Sequence, residues 1–166
     1  MRGLGVAELP DIQSGDDTSA GKTMPGIPGS VLFVCGMNCI RSPMAEYLTR
    51  HLFGSMIHVA SAGVNSGDLD PFAASVMEER GVPMKAHHSK TLDELEESWF
   101  DLVVTLTPEA HHKALELTRT QPVEVEYWAT LDPSTVAGNR EQILQSYREV
   151  RDRLESRIRE RFGNRG

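Results

Sequence analysis

A short apolar segment that ends on a cysteine, followed at once by the start of a helix, constrains this chain most. Residues 31–34 read Val-Leu-Phe-Val and lead into Cys35, and Arg41 stands six positions later, before a serine and a proline that open a helical pattern. An apolar run of this length, bounded by a glycine-containing loop, indicates a buried strand. The loop after Cys35 therefore precedes a helix N-terminus, where unpaired amides and the positive end of the helix dipole favour anions.

Cys35 is predicted to be a nucleophile in this loop. A thiolate there is stabilised by the surrounding amides and by the charge of Arg41, and the thiolate is the reactive form of cysteine. The alternative is a buried cysteine that only packs at the end of a strand, which is common for free cysteines. The strand before Cys35 and the helix start after Arg41 favour the reactive interpretation.

Length, charge and cysteine content limit the class of protein. The chain has 166 residues and a net charge of −7, which suits one domain and argues against nucleic acid and anionic membranes as partners. The arginines of residues 140–161 alternate with acids, as on a solvated helix face. Cys35 and Cys39 are the only cysteines, so no disulfide framework holds a secreted domain together. With no secretory signal or membrane-span pattern, we expect a cytoplasmic enzyme.

The chain divides into three parts by composition. Residues 1–30 are rich in Gly, Pro, Ser, Thr and Asp without a hydrophobic period, and we expect a disordered N-terminal extension there. Residues 31–162 carry the regular patterns of a single domain, and residues 163–166 form a short tail.

Strands and helices alternate from residue 31 onward. Strands are predicted at 31–34, 57–61, 102–106 and 123–128, and helices at 43–53, 71–80, 108–117 and from Asn139 onward. Thr91 and Glu94 form a capping-box pattern that predicts one further short helix. This alternation predicts a three-layer α/β fold, with a four-stranded parallel sheet and helices on both faces. Ligands in such folds bind at the carboxyl ends of the strands, where the Cys35 loop and Asp132 both fall.

The chain resembles the low-molecular-weight protein-tyrosine phosphatases. Val31-Leu-Phe-Val-Cys35, five residues, and Arg41-Ser-Pro-Met-Ala-Glu46 are similar to the signature of that family. The resemblance continues through four later segments and covers roughly residues 31–162. Those segments are Ser61-Ala62-Gly63, His87-His88-Ser89-Lys90, Phe100–Val104 and Asp132-Pro133. It implies the Rossmann-like fold of these phosphatases.

The resemblance also implies a two-step reaction with three catalytic residues. Cys35 would attack a phosphoryl group and form a phosphocysteine intermediate. Arg41 would hold the equatorial oxygens with its planar guanidinium. Asp132 would protonate the leaving group and then activate the water that hydrolyses the intermediate.

Further residues are expected to bind phosphate or to support the loop. The predicted phosphate-binding residues are Gly36, Met37, Asn38, Cys39, Ile40, Arg41 and Ser42. Ser42 would also hydrogen-bond the thiolate, and Asn38 would take a left-handed conformation, with Ser61 and His87 buttressing the loop. The reaction needs no cofactor and no metal, and the adjacent histidine pairs do not form a metal-site pattern. The implied partners are a phosphorylated protein or small phosphomonoester, and a phosphate or sulfate ion in the loop.

A second Asp-Pro pair competes with Asp132 for the role of acid. Asp70 precedes Pro71, which is the pattern of an N-cap followed by proline in the first helical position. Asp132 follows the fourth strand and is aimed at the loop by the fold, so we favour Asp132. A structural Asp132 that only caps a turn is the alternative.

The loop and the pocket depart from the family pattern. Met37 replaces a glycine, Cys39 stands where isoleucine is usual, and Ile40 fills the usual place of the second cysteine. A disulfide between Cys39 and Cys35 therefore stays open. Ser134 follows Pro133 where an aromatic wall residue is usual, and its loss removes contacts worth about 1 kcal/mol or more to a phosphotyrosine ring. Phosphotyrosine stays the expected substrate. Phosphoarginine, the substrate of the protein-arginine phosphatases in the same family, and small phosphomonoesters are the alternatives.

Two other classes of function share this pattern. Thioredoxin-coupled arsenate reductases have the same fold and anion loop but need further cysteines downstream, and none follows Cys39. Arsenate reduction is therefore not expected. A catalytically weak anion-binding regulatory module is the non-enzymatic alternative, favoured by Met37, Cys39 and Ser134.

Overall fold

The computed structural model describes residues 27–96 and 99–163. Most of the expected N-terminal extension, residues 1–26, and the end of the tail, residues 164–166, lie outside the described residues. Residues 27–30 belong to the domain: Ile27 packs against the core, and the Gly29 amide donates to Asp101 Oδ2 at 2.9 Å.

Four parallel strands form the central sheet, as the alternation predicts. The strands are β1 (Ser30–Cys35), β2 (His58–Gly63), β3 (Leu102–Thr105) and β4 (Glu124–Tyr127). Their order across the sheet is β2-β1-β3-β4, and every neighbouring pair is parallel. The register sets Cys35 opposite Gly63 at the carboxyl end of β1.

Helices cover both faces of this sheet. They are α1 (Arg41–Phe53), α2 (Pro71–Glu78), α3 (Pro108–Leu115) and α4 (Arg140–Ile158). A 3₁₀ turn follows α3 at Glu116–Arg119, another spans Pro133–Thr135, and a π-helical turn, Arg159–Gly163, ends α4. Among the described helices, none is long and apolar enough to cross a membrane.

Two apolar layers hold the helices to the sheet. On one face, Phe33 and Val104 pack in a cluster with Met44 of α1 and with Tyr147 and Leu154 of α4. On the opposite face, alternate strand residues such as Leu32 and Val34 pack against Ala110 and Ala114 of α3. The period of two along each strand and the stripes on α1 and α4 predict this division.

Capping signals in the sequence are confirmed at two helices. Asp70 Oδ1 accepts the amides of Phe72 and Ala73 at 2.8 and 3.2 Å, and Asn139 forms a reciprocal capping box with Gln142. The short helix predicted at Thr91 is wrong. Its capping hydrogen bonds with Glu94 do form, at 2.9 and 3.2 Å. They close a turn, and no helix begins at this turn in the part of the chain that the structure describes.

At Gly63, the backbone of β2 lies so close to the backbone of the Cys35 loop that a side chain would not fit between them. A β-carbon at this position would lie 2.2 Å from the Asn65 carbonyl oxygen and 2.8 Å from the Asn38 amide nitrogen. Both are backbone atoms, which cannot rotate away as a side chain would.

We predict that Gly63→Ala destabilises the fold by about 1–3 kcal/mol, the usual cost of forced overpacking. Urea unfolding would measure the change. Gly36→Ala is the matched control for stability, because its β-carbon would meet nothing closer than 3.9 Å. Equal unfolding free energies for the two variants would contradict the prediction.

Candidate active site

Residues 36–40 form the loop between β1 and α1, and the five carbonyl groups of residues 35–39 accept hydrogen bonds from segments outside it. The following segment donates four amides to it: Val64 to Cys35, Asn65 to Gly36, Gly67 to Met37 and Asp70 to Cys39, at 2.8–3.1 Å. The remaining carbonyl, that of Asn38, accepts the Ser89 hydroxyl at 2.7 Å.

These bonds orient the amides of the loop. The peptide bonds of the described residues are trans, and in a trans peptide the N–H points opposite to the carbonyl. Holding five successive carbonyls outward therefore turns the N–H groups of residues 36–40 away from the supporting segments. Together with the start of α1, they form an anion-binding loop.

The thiol of Cys35 lies at the base of this loop. Its Sγ is 3.0 Å from Ser42 Oγ, and both residues are buried. Asn38 Nδ2 donates to Ser42 Oγ at 2.8 Å. The Ser42 hydroxyl can donate its hydrogen either to the sulfur or to the Ala62 carbonyl oxygen, which is 3.4 Å away. Donated to the sulfur, it would stabilise a thiolate.

Asn38 holds the loop through every polar atom of its side chain. It has φ of 54°, the left-handed conformation predicted from its chemistry, and no other non-glycine residue in the described ranges has positive φ. Nδ2 also donates to Ser61 Oγ at 3.0 Å, and Oδ1 accepts the Lys90 amide at 3.0 Å. Met37, in place of the family glycine, therefore needs no left-handed backbone. Its side chain is 44% exposed and lies over Gly67.

A buried carboxylate completes this network. Glu46, only 6% exposed, accepts Ser61 Oγ through Oε1 and Arg50 Nη2 through Oε2, both at 2.5 Å. His87 lies beside it, with Nδ1 3.8 Å from Glu46 Oε1 and Nε2 3.3 Å from the Asn38 carbonyl oxygen. Burial lowers the pKa of His87, which favours its neutral form.

Arg41 and Asp132 meet at the opposite side of the loop. Arg41 Nη1 donates to the Thr130 carbonyl at 2.9 Å, and Nη2 lies 3.9 Å from Asp132 Oδ2. Asp132 Oδ1 accepts the amide and the hydroxyl of Ser134 at 2.9 and 2.7 Å. Asp132 therefore caps the turn at Pro133 with one oxygen and leaves the other beside Arg41.

Asp70, the alternative candidate for the acid, has both carboxylate oxygens hydrogen-bonded to groups outside the loop. One oxygen caps α2, and the other accepts the Tyr147 hydroxyl at 2.9 Å. Burial, reinforced by Asp70, raises the pKa of Tyr147, so this phenol stays a donor. The geometry agrees with the choice of Asp132 as the acid, and the role itself remains a prediction.

Cys39 is a free, half-buried thiol in the same loop. Burial, and after it the negative charges of Cys35, Asp70 and Asp132, raise the pKa of Cys39 to about 11. Cys39 is therefore protonated at neutral pH and a poor nucleophile there.

Four further residues contribute to the site without having been predicted from the sequence. Glu46 lies one helical turn after Ser42, on the buried side of α1, and that spacing is the signal that could have identified it. Ser89 and Lys90 lie in the segment that follows His87 and His88, and their residue types alone do not predict that they bind the Asn38 carbonyl and side chain. Thr130 binds Arg41 through its backbone carbonyl, and because every residue has one, the residue type cannot predict this contact.

Comparison with known proteins identifies related sequences and structures. Residues 30–163 match the family model described as low molecular weight phosphotyrosine protein phosphatase. An arsenate reductase of Bacillus subtilis (strain 168) is 33% identical over 131 residues, which covers 78% of this chain and 92% of that relative.

Solved structures with the same fold carry several activities in their descriptions. An arsenate reductase in the phosphate binding state has a TM-score of 0.65 at 28% identity, covering 81% of this chain and 96% of that chain. The YwlE arginine phosphatase with a phosphorylated active site serine has a TM-score of 0.64 at 28% identity, over 78% and 91%. A low molecular weight protein tyrosine phosphatase from Bacillus subtilis has a TM-score of 0.63 at 28% identity, over 78% and 92%.

The expectation against arsenate reduction is contradicted by these relatives. It rested on the lack of a cysteine after Cys39, yet a protein named arsenate reductase shares a third of its residues with this chain over most of its length. The physical reason is that arsenate and phosphate are both tetrahedral oxyanions, so one anion loop serves both. A missing downstream thiol does not remove the site at which arsenate would bind.

The raised pKa of Cys39 predicts slow alkylation. In Cys35→Ser, Cys39 is the remaining thiol and the negative charge of Cys35 is absent, but burial still raises the pKa of Cys39. Iodoacetamide should therefore react at pH 8 at least about tenfold more slowly than with an ordinary thiol, because less thiolate is present. The rate should rise with pH beyond pH 9. Labelling of the same variant in urea is the control, and a plateau near pH 9 in the folded protein would contradict the prediction.

Proposed function

This chain belongs to the low molecular weight phosphotyrosine protein phosphatase family, as its sequence resemblance predicts, and from that premise we propose that Cys35 attacks tetrahedral oxyanions held in its loop. Hydrolysis of phosphate monoesters is the activity that the geometry supports best. The observation that carries it is the contact of Arg41 with both Thr130 and Asp132, because it joins the anion site to a carboxyl group able to transfer protons.

In the first step, the Cys35 thiolate attacks phosphorus and the bond from phosphorus to the leaving oxygen breaks. Asp132 gives its proton to that oxygen, so the leaving group departs neutral. The loop amides and Arg41 hold the three equatorial oxygens, whose charge is spread in the transition state. The product is a phosphocysteine on Cys35.

In the second step, water attacks the same phosphorus and Asp132, now ionised, takes its proton. The bond from phosphorus to sulfur breaks and the thiolate of Cys35 returns. Ser42, 3.0 Å from the sulfur, donates a hydrogen bond that stabilises the departing thiolate. Asn38 keeps Ser42 in that orientation.

The proposal extends to the substrate class and to the cellular compartment of the protein. We take tyrosine phosphate as the first substrate because Met37, 44% exposed in the loop, offers a thioether surface to an aromatic ring. We also place the protein in the cytoplasm, where its two free thiols suit a reducing environment.

Hydrolysis of phenyl phosphate by three variants would test the first activity. Cys35→Ser should abolish turnover, and Asp132→Asn should slow it by about 10²–10⁴, the usual contribution of a general acid. Because p-nitrophenolate leaves without protonation, Asp132→Asn should lose less activity on p-nitrophenyl phosphate. Asp70→Asn is the matched control, since asparagine still caps α2, and it should retain turnover.

Two outcomes would contradict this assignment. Equal losses in Asp70→Asn and Asp132→Asn on phenyl phosphate would remove Asp132 from the acid role. Phosphate binding by a wild type that is as inactive as Cys35→Ser would favour an anion-binding module.

Arsenate reduction is the second candidate function, favoured by the relatives that carry this name. The Cys35 thiolate would displace an oxygen of arsenate as water and form a sulfur–arsenic(V) bond. Cys39 would then attack the Cys35 sulfur, and the electron pair of the sulfur–arsenic bond would pass to arsenic. Arsenite leaves, arsenic gains two electrons, and the two thiols become a disulfide that an external dithiol must reduce.

A single-turnover experiment would test this second activity. Reduced enzyme, freed of external thiol, should release about one arsenite per chain and lose both free thiols. The rate should increase with pH because the pKa of Cys39 is raised to about 11. Cys39→Ser should release no arsenite under these conditions, and release from that variant equal to wild type would exclude Cys39 as the second thiol.

A further inference from the structure

A cavity of about 430 Å³ lies between α4 and the segment that carries Asp132. We call residues 129–136 the acid strap, because they follow Trp128 and include Asp132. The cavity wall has more apolar than polar surface, and its apolar residues are Trp128, Leu131, Pro133, Val136, Val150 and Leu154. Polar and charged side chains of the strap and of α4 complete the lining. Its volume lies in the range of small-molecule sites, about 300–1,000 Å³.

Two arginines stand at one end of this cavity. Arg157 lies with its guanidinium 5.0 Å from the centre of the Trp128 ring. Arg153, one turn earlier on α4, has no ion pair or hydrogen bond with the part of the chain that the structure describes. The acids on the wall are Glu149, a further turn toward the start of α4, and Asp132, whose Oδ1 is held by Ser134. The arginine end is therefore the one suited to an anionic group.

The opposite rim leaves apolar surface open. Leu131 is 74% exposed and Val136 is 42% exposed, although both line the cavity. An apolar body lying between these side chains and Leu154 would cover them, at a gain of about 25 cal/mol per Å² buried. The cavity thus combines an apolar groove with a cationic end.

We propose that this cavity binds a small organic anion with an apolar body, such as an aromatic carboxylate, with its charge at Arg153 and Arg157. The site is separate from the anion loop, because none of residues 35–42 lines it. It shares the acid strap with the active site.

The strap gives such a ligand a route to the chemistry. Its start is anchored by Trp128, whose ring packs on Phe33, and Pro133 within it is buried. Between these anchors, Thr130 accepts Arg41 and Asp132 faces it. A ligand against Leu131 therefore contacts the strap directly beside the two residues on which proton transfer depends.

Binding of 2-naphthoate, followed by amide chemical shifts, would test the site. Saturating inorganic phosphate would fill the anion loop and exclude the probe from it. We expect saturable shifts in residues 129–136 and 150–157. Arg153→Glu should weaken binding at least tenfold, and Val136→Asp, a second charge change at the rim, should weaken it as well. Arg119→Glu, on the 3₁₀ turn after α3, is the matched control and should bind as wild type does.

Each outcome decides the proposal without measuring turnover. Saturable binding lost in Arg153→Glu and kept in Arg119→Glu would support it. Absence of saturable shifts, equal affinities of Arg153→Glu and Arg119→Glu, or shifts confined to residues 35–42 when phosphate is omitted would overturn it. A failure of phosphate ester hydrolysis leaves this result unaffected, so the two proposals fail separately.

Discussion

The left-handed backbone of Asn38 is the constraint on which the rest of the site depends. With φ of 54°, this residue turns the chain so that the loop carbonyls reach their donors outside and the amides face the other way. Such a conformation costs about 1–2 kcal/mol in a residue with a β-carbon. The cost is offset locally, because the side chain binds Ser42, Ser61 and the Lys90 amide at once. One residue therefore ties β1, α1, β2 and the segment after α2 into a single support for the thiol.

The family resemblance predicts the architecture of the protein better than it predicts its substrate class. An anion loop recognises a tetrahedral group by charge and shape, and phosphate and arsenate present both alike. What separates hydrolysis from reduction is the group that follows the first attack: a carboxyl that moves protons, or a thiol that accepts the sulfur. The acid proposed for hydrolysis, Asp132, stands beside Arg41. The thiol proposed for reduction, Cys39, is in the same loop, but its raised pKa would make it slow near neutral pH.

How much the sequence predicts depends on whether the signal is local. The order of strands and helices, the caps at Asp70 and Asn139 and the conformation of Asn38 all follow from periods or from the chemistry of one residue. The turn at Thr91 shows the limit, because a capping pair stabilises a first turn but cannot extend it into a helix. The partners of Glu46 and Arg41 could not be predicted. Glu46 has one partner on its own helix, Arg50 at i+4, but the Ser61 hydroxyl that it also accepts comes from another element. The bond from Arg41 ends on a backbone carbonyl.

Arg41 would link the two proposed ligand sites through one guanidinium. The group proposed to hold the anion donates to Thr130 and faces Asp132, so an anion in the loop would compete with the strap for its hydrogen bonds. The position of the acid strap should then depend on whether the loop is filled. The cavity on the other side of the strap would sense that position, and linkage requires the effect to run equally in both directions. If both proposed sites bind, an anion at Arg153 and an oxyanion at Cys35 would be coupled through the position of the strap.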